Sequence, residues 1–135
     1  MSVQLGYVIY YVSDVEATLT FYTNAFGLAR RMLTPEGDYG ELDTGSTTLS
    51  FVVNELAHEN LDGAGGFAEL DAGAPPVGAS ITLVTNDVEA AVATATGQGA
   101  SELVAPVQKP WGQTVSYVRD PNGILIELAT PMGGS

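Results

Sequence analysis

Asp14-Val15-Glu16-Ala17 returns unchanged 73 residues later as Asp87-Val88-Glu89-Ala90, and similar patterns surround the two copies. Ahead of the first copy lies a run with Tyr7, Ile9 and Tyr11 on one strand face and Val8, Tyr10 and Val12 on the other. Two apolar or aromatic faces predict a strand covered on both sides. Ser13-Asp14 offers helix N-caps, Val15, Leu19, Tyr22 and Phe26 follow at helical spacing, and Gly27 closes the helix. Residues 28–33, 39–43 and 47–53 then read as strands. The second copy begins with a strand at 80–85. Asn86-Asp87 repeats the cap, Ala91, Val92 and Ala95 continue a helix, and Gly97 and Gly99 end it. Strands follow at 102–105, 113–119 and 124–128, with 106–112 as a connection. Each half is therefore βαβββ, and the fold class is α+β. A unit of this size cannot close a core alone, so the two modules are expected to pack together with pseudo-twofold symmetry. Residues 1–135 read as one domain: a first module at 5–54, a linker or lid at 55–78, and a second module at 79–130. The middle stretch, rich in Gly, Ala, Pro and acids, has no sustained period, and Phe67 and Leu70 are its candidate anchors.

The net charge of −12 reflects a shortage of bases, which are Arg30, Arg31, Lys109 and Arg119. Binding to nucleic acid or to anionic membranes requires clustered cations, so both are disfavoured. An acidic field attracts cationic small molecules. With no cysteine there is no disulfide, thiolate metal site or Cys nucleophile. The N-terminal residues lack a basic region ahead of an apolar core, and no apolar run approaches the ~18 residues of a membrane span. A cytoplasmic location is expected.

Asp120-Pro121-Asn122-Gly123 forms a turn into an apolar strand interrupted only by Glu127. A carboxylate there must find a cation, a metal, a hydrogen-bond donor or water. The opening strand with Asp-Val-Glu-Ala, Phe21-Tyr22 and Phe26-Gly27, together with this closing Asp-Pro-Asn-Gly and Ile126-Glu127-Leu128, resembles the vicinal oxygen chelate superfamily, the glyoxalase, bleomycin-resistance and ring-cleaving extradiol dioxygenase group. The resemblance covers essentially the whole chain. It implies sheets curled into a cup around a small-molecule site, and a homodimer.

In metal-dependent members of that group four positions point into the cup. The resemblance places them here at Tyr7, Ser50, Ser80 and Glu127, with a one-residue shift open at Ser50. Three of the four are hydroxyl side chains where zinc, nickel or iron would need imidazole or carboxylate. The single histidine, His58, lies in the middle stretch and reads as an exposed loop residue. No metal or other cofactor is expected, and a dioxygenase is disfavoured.

If Glu127 lines the cup, Tyr7, Ser50 and Ser80 are its candidate donors and a ligand cation its partner; alternatively Arg119 or water neutralises it. Trp111, flanked by Pro110 and Gly112, either stacks on an aromatic or cationic ligand or lids the protein's own core, and Tyr39 holds the corresponding place in the first repeat. Gln113 and Arg119 share a strand face with Val115 and Tyr117 and are further polar candidates. Tyr11, Phe51 and Tyr117 read as core. Three function classes follow. The first is metal-independent small-molecule binding of the drug-sequestering type. The second is a glyoxalase-like lyase, isomerase or epimerase with Glu127 as general base. The third is a non-catalytic structural or partner-binding domain.

Overall fold

The computed structural model describes residues 2–133. Its first module runs β1 (Tyr7–Val12), α1 (Val15–Phe26), β2 (Arg30–Leu33), β3 (Tyr39–Leu42) and β4 (Thr48–Val53). The sheet order is β1-β4-β3-β2, with β1 parallel to β4 and the other pairs antiparallel. A parallel pair needs a long crossover, which α1, β2 and β3 supply. The Asp14 carboxylate accepts from Ala17 N at 3.0 Å and so caps α1, and Gly27, at φ 73°, closes it.

One face of α1 carries Val15, Leu19 and Tyr22, all fully buried. It lies on the sheet face that presents Gly40 and Phe51. Tyr22 stacks on Phe51 with ring centroids 5.3 Å apart. A Cβ on Gly40 would lie 2.7 Å from Leu19 Cδ1 and 2.9 Å from Val15 Cγ1, so the helix sits too close for a side chain there. The opposite face is exposed along β1, although Thr48, Ser50 and Val52 of β4 on that face are buried. Tyr7 and Ile9 on β1 are 57% and 43% exposed, which corrects the expectation that both faces of this strand are covered. Two aromatic or apolar faces in sequence do not require two layers when only one helix is available.

The second module repeats the pattern with β5 (Ile81–Val84), α3 (Val88–Gly97), β6 (Ser101–Gln108), β7 (Thr114–Arg119) and β8 (Leu125–Ala129), in the order β5-β8-β7-β6. Again the first and last strands are parallel. Asp87 caps α3 through Ala90 N at 3.0 Å, and the helix buries Val88, Val92 and Ala95 against its sheet. The chain is therefore an α+β fold of two βαβββ modules. β6 runs three residues beyond the strand expected at 102–105 and passes through Pro106. It is the outermost strand of its sheet, where a missing N–H is tolerated, and its pairing with β7 shifts register twice.

The chain divides into two compact units with a boundary in sequence between Glu69 and Leu70. The stretch without period contains α2 (Asn54–Asn60) and a 3-10 turn at Asp62–Ala64. At seven residues, α2 is too short to show a helical period and has no side-chain cap. Phe67 anchors this stretch to the first module through Tyr11, with centroids 4.8 Å apart. Among the described residues no helix is long and apolar enough to cross a membrane.

Candidate functional site

In each module the sheet face away from the helix carries a carboxylate that accepts from a tyrosine hydroxyl. On the second module, cross-strand pairing puts Thr82, Glu127 and Tyr117 in one row over β5, β8 and β7. Thr82 Oγ1 donates to Glu127 Oε1 at 2.6 Å, and Tyr117 OH donates to Oε2 at 3.1 Å. The bond to Glu127, with burial and the carboxylate's charge, raises the Tyr117 pKa above its ordinary 10.0, so the phenol stays a proton donor. Among the described residues no Lys, Arg or His forms an ion pair with Glu127.

Arg119 stands two residues beyond Tyr117 on the same strand, yet it points elsewhere. Its Nε donates to Gly123 O at 3.1 Å, Nη1 to Ala74 O at 2.6 Å and Ala72 O at 3.3 Å, and Nη2 to Asp71 O at 3.2 Å. Buried with these bonds, the guanidinium fastens residues 71–74 to the second module. Ser80 stands exposed just before β5, and Thr82 takes the place beside Glu127. Trp111, 61% exposed at the β6–β7 hairpin, donates Nε1–H to Gln113 Oε1 at 2.8 Å. Gln113 in turn donates Nε2–H to Thr130 O at 2.8 Å, which fixes the amide and with it the indole. Gln113 precedes Tyr117 by four residues, about 13 Å at ~3.3 Å per residue, which sets the Trp111 hairpin well apart from Glu127 along β7.

On the first module the register aligns Ile9, Ser50 and Glu41. Tyr39 OH donates to Glu41 Oε2 at 2.6 Å and lies 3.1 Å from the buried Ser50 Oγ; with the phenolic proton directed at Glu41, Ser50 is the donor of that second pair. Burial first, then Glu41, raises the Tyr39 pKa, while Ser50 works against them. Unlike Glu127, Glu41 has a cation: Arg31 Nε is 3.7 Å away, with Nη1 donating to Thr48 Oγ1 at 3.2 Å. Tyr7 pairs with Thr48 at the outer end of β1 and is largely exposed.

The structure thus brings Tyr39 together with Ser50, and Trp111 with Gln113, while Ser80 and Arg119 stand apart from Glu127. Sequence reasoning missed Thr82, Tyr117, Glu41 and Arg31. The alternation of β7 and β8 already placed Tyr117 and Glu127 on facing strands, and that was the available signal. His58 is not a loop residue: it lies on α2, its Nε2 is 2.8 Å from Glu69 Oε2, and its ring stacks on Phe67. Among the described residues no three His, Asp or Glu side chains converge as metal ligands. One carboxylate per face beside neutral hydroxyls does not fit a divalent transition-metal site, which needs three or four imidazole, thiolate or carboxylate donors.

A family model for the Glyoxalase/Bleomycin resistance protein/Dioxygenase superfamily matches residues 4–128. Lactoylglutathione lyase GLX1 of Arabidopsis thaliana is 32% identical over 127 residues, covering 90% of this chain and 42% of that protein. The chain thus spans less than half the length of the curated relatives it matches. A glyoxalase-related enzyme from Fulvimarina pelagi has a TM-score of 0.78 at 19% identity, covering 95% of this chain and 88% of the other. A glyoxalase/bleomycin resistance protein/dioxygenase family enzyme from Burkholderia phytofirmans PsJN has a TM-score of 0.74 at 20% identity, with 95% and 98% covered. At these identities the two structures speak to the fold alone.

Proposed function

Because the chain belongs to the glyoxalase/bleomycin resistance protein/dioxygenase superfamily, we propose that it is a metal-independent small-molecule-binding protein of the drug-sequestering kind, with Glu127 receiving a cationic group of the ligand. One observation carries this reading: Glu127 is half-buried on an open face with two hydroxyl donors and no ion-pair partner among the described residues. The arginines are committed elsewhere, Arg30 to Glu16 and Thr20, Arg31 to Glu41 and Thr48, and Arg119 to backbone carbonyls. A partly desolvated carboxylate without a countercharge gains from a ligand cation, because Coulomb attraction strengthens as water is excluded. The net charge of −12 draws such ligands toward the protein. Trp111, held by Gln113, gives an exposed flat surface at the β6–β7 hairpin of the same module.

Equilibrium dialysis against a basic glycopeptide tests this directly. Glu127→Gln keeps the side-chain shape and removes the charge, so affinity should fall about 10- to 100-fold, the range for a charge-assisted hydrogen bond. Thermal stability should change little. Unchanged affinity in the variant would remove the ligand role of Glu127.

A second reading follows from the 32% identity to a lactoylglutathione lyase. Here Glu127 acts as general base, positioned by the hydroxyls of Thr82 and Tyr117, and the protonated Tyr117 is the donor at hand for a developing oxyanion. Turnover of a hemithioacetal that survives a chelator and disappears in Glu127→Gln would establish it over sequestration. In both readings we propose a cytoplasmic homodimer, the twofold arrangement being the commonest among oligomers.

A further inference from the structure

The apolar face of β1 is open at Tyr7 and Ile9 but closed at Tyr11, and what closes it is not part of the sheet. Phe67 reaches Tyr11 from the irregular stretch after α2, with centroids 4.8 Å apart and rings tilted by 60°. The same ring stacks on His58 at 4.0 Å and 18°. Phe67 is delivered by two successive left-handed glycines, Gly65 at φ 85° and Gly66 at φ 80°, which bend the chain back over α2. Their amides are tied to Asp62 O and Leu61 O at 3.1 and 3.0 Å. Beyond Phe67, Glu69 Oε2 meets His58 Nε2 at 2.8 Å, while Ala68 and Glu69 are exposed. Beyond this glycine turn, the strap of residues 67–69 is fastened by one aromatic ring and one exposed polar contact.

We propose that Tyr11 and His58 form a binding seat for a planar aromatic group on the first module, and that Phe67 is its resident, displaceable occupant. A tilted contact on one partner and a parallel stack on the other are how aromatic rings hold a flat guest. Glu69 bonds to His58 of the seat, and Glu55, Glu59 and Asp62 line a depression beside the same histidine that includes neither Tyr11 nor Phe67, so the acidic surroundings of His58 favour a guest that is also cationic. This seat is separate from Glu127, which lies on the second module, and does not depend on the reading given for that residue.

Proflavine, a planar aromatic cation, is the probe, read by its own fluorescence anisotropy on the full chain. Phe67→Ala empties the seat and should tighten binding about tenfold. Gly66→Ala should do the same without removing the ring, because a Cβ there is strained at φ 80° and would lie 3.1 Å from His58 Nδ1, lifting the strap. Adding Tyr11→Ala should cancel the gain, and Glu127→Gln should leave it intact. The proposal is overturned if neither variant binds tighter, if the gain survives Tyr11→Ala, or if it vanishes with Glu127→Gln, which would place the probe on the second module. With the unaltered chain, saturating proflavine must shift the Phe67 ring resonances in NMR spectra; unshifted resonances also overturn it.

Discussion

Tyr39 and Tyr117 each direct a phenolic proton at a carboxylate, and in both the native state holds that proton more tightly than the ordinary 10.0. The native chain therefore binds more protons than the unfolded chain once pH exceeds about 10, so the stabilisation is complete below that value and is lost as pH climbs through the raised pKa values. Urea midpoints measured from pH 9 to 11 should fall more steeply for the natural chain than for the Tyr39→Phe/Tyr117→Phe double variant; parallel curves would disprove the linkage. These two residues also mark what the sequence could convey. Strand alternation puts Ser80 and Thr82 on the same face, but alternation does not fix register, and pairing with β8 gives Thr82 the place beside Glu127. Arg119 shares a strand with Tyr117 but turns to carbonyls of residues 71–74, whose position follows from no periodic pattern. Glu41 escaped notice because it lies beside Gly40 in a short strand whose role as the platform under α1 appears only once the helix is docked.

At the scale of elements, the tetrapeptide repeat carried real information, since both aspartates became helix caps with bonds of 3.0 Å to the third residue onward. Asp14→Ala and Asp87→Ala should each cost about 1 kcal/mol, the usual loss for a capping side chain, as measured by chemical denaturation. A much larger loss at one site would show that its helix depends on the cap for more than one hydrogen bond. The docking of α1 is more demanding. Gly40→Ala inserts a methyl group against Leu19 and Val15, both fully buried, and should cost about 1–3 kcal/mol by overpacking, whereas an Ala at an exposed strand position would cost far less. Elements without period were less legible: α2 spans two turns with no side-chain cap, and β6 continues through a proline because nothing pairs beyond it in its sheet.

For the whole molecule, the repeat was enough to give two βαβββ modules because each copy brings its own cap, helix stripe and strand runs. The open faces were harder to read, because an apolar face looks the same in sequence whether a helix, a ligand or solvent lies against it. Net charge acts at this scale as well. Sixteen acids face four bases, and two of the three arginines that meet acids or carbonyls pair with a carboxylate, so most acids have no cation near them. Their mutual repulsion weakens the folded chain at low ionic strength, where the Debye length is about 30 Å at ~10 mM salt and about 8 Å at ~150 mM. Raising sodium chloride over that interval should raise the urea midpoint, because screening relieves repulsion that the compact state suffers more than the unfolded one. The same salt should weaken a basic ligand, because the long-range attraction is screened along with the contact to Glu127. Stability and affinity are thus expected to move in opposite directions in one titration. An affinity that held constant while stability rose would mean that the ligand is bound without using the acidic field, and would leave aromatic contact at Trp111 as the dominant interaction.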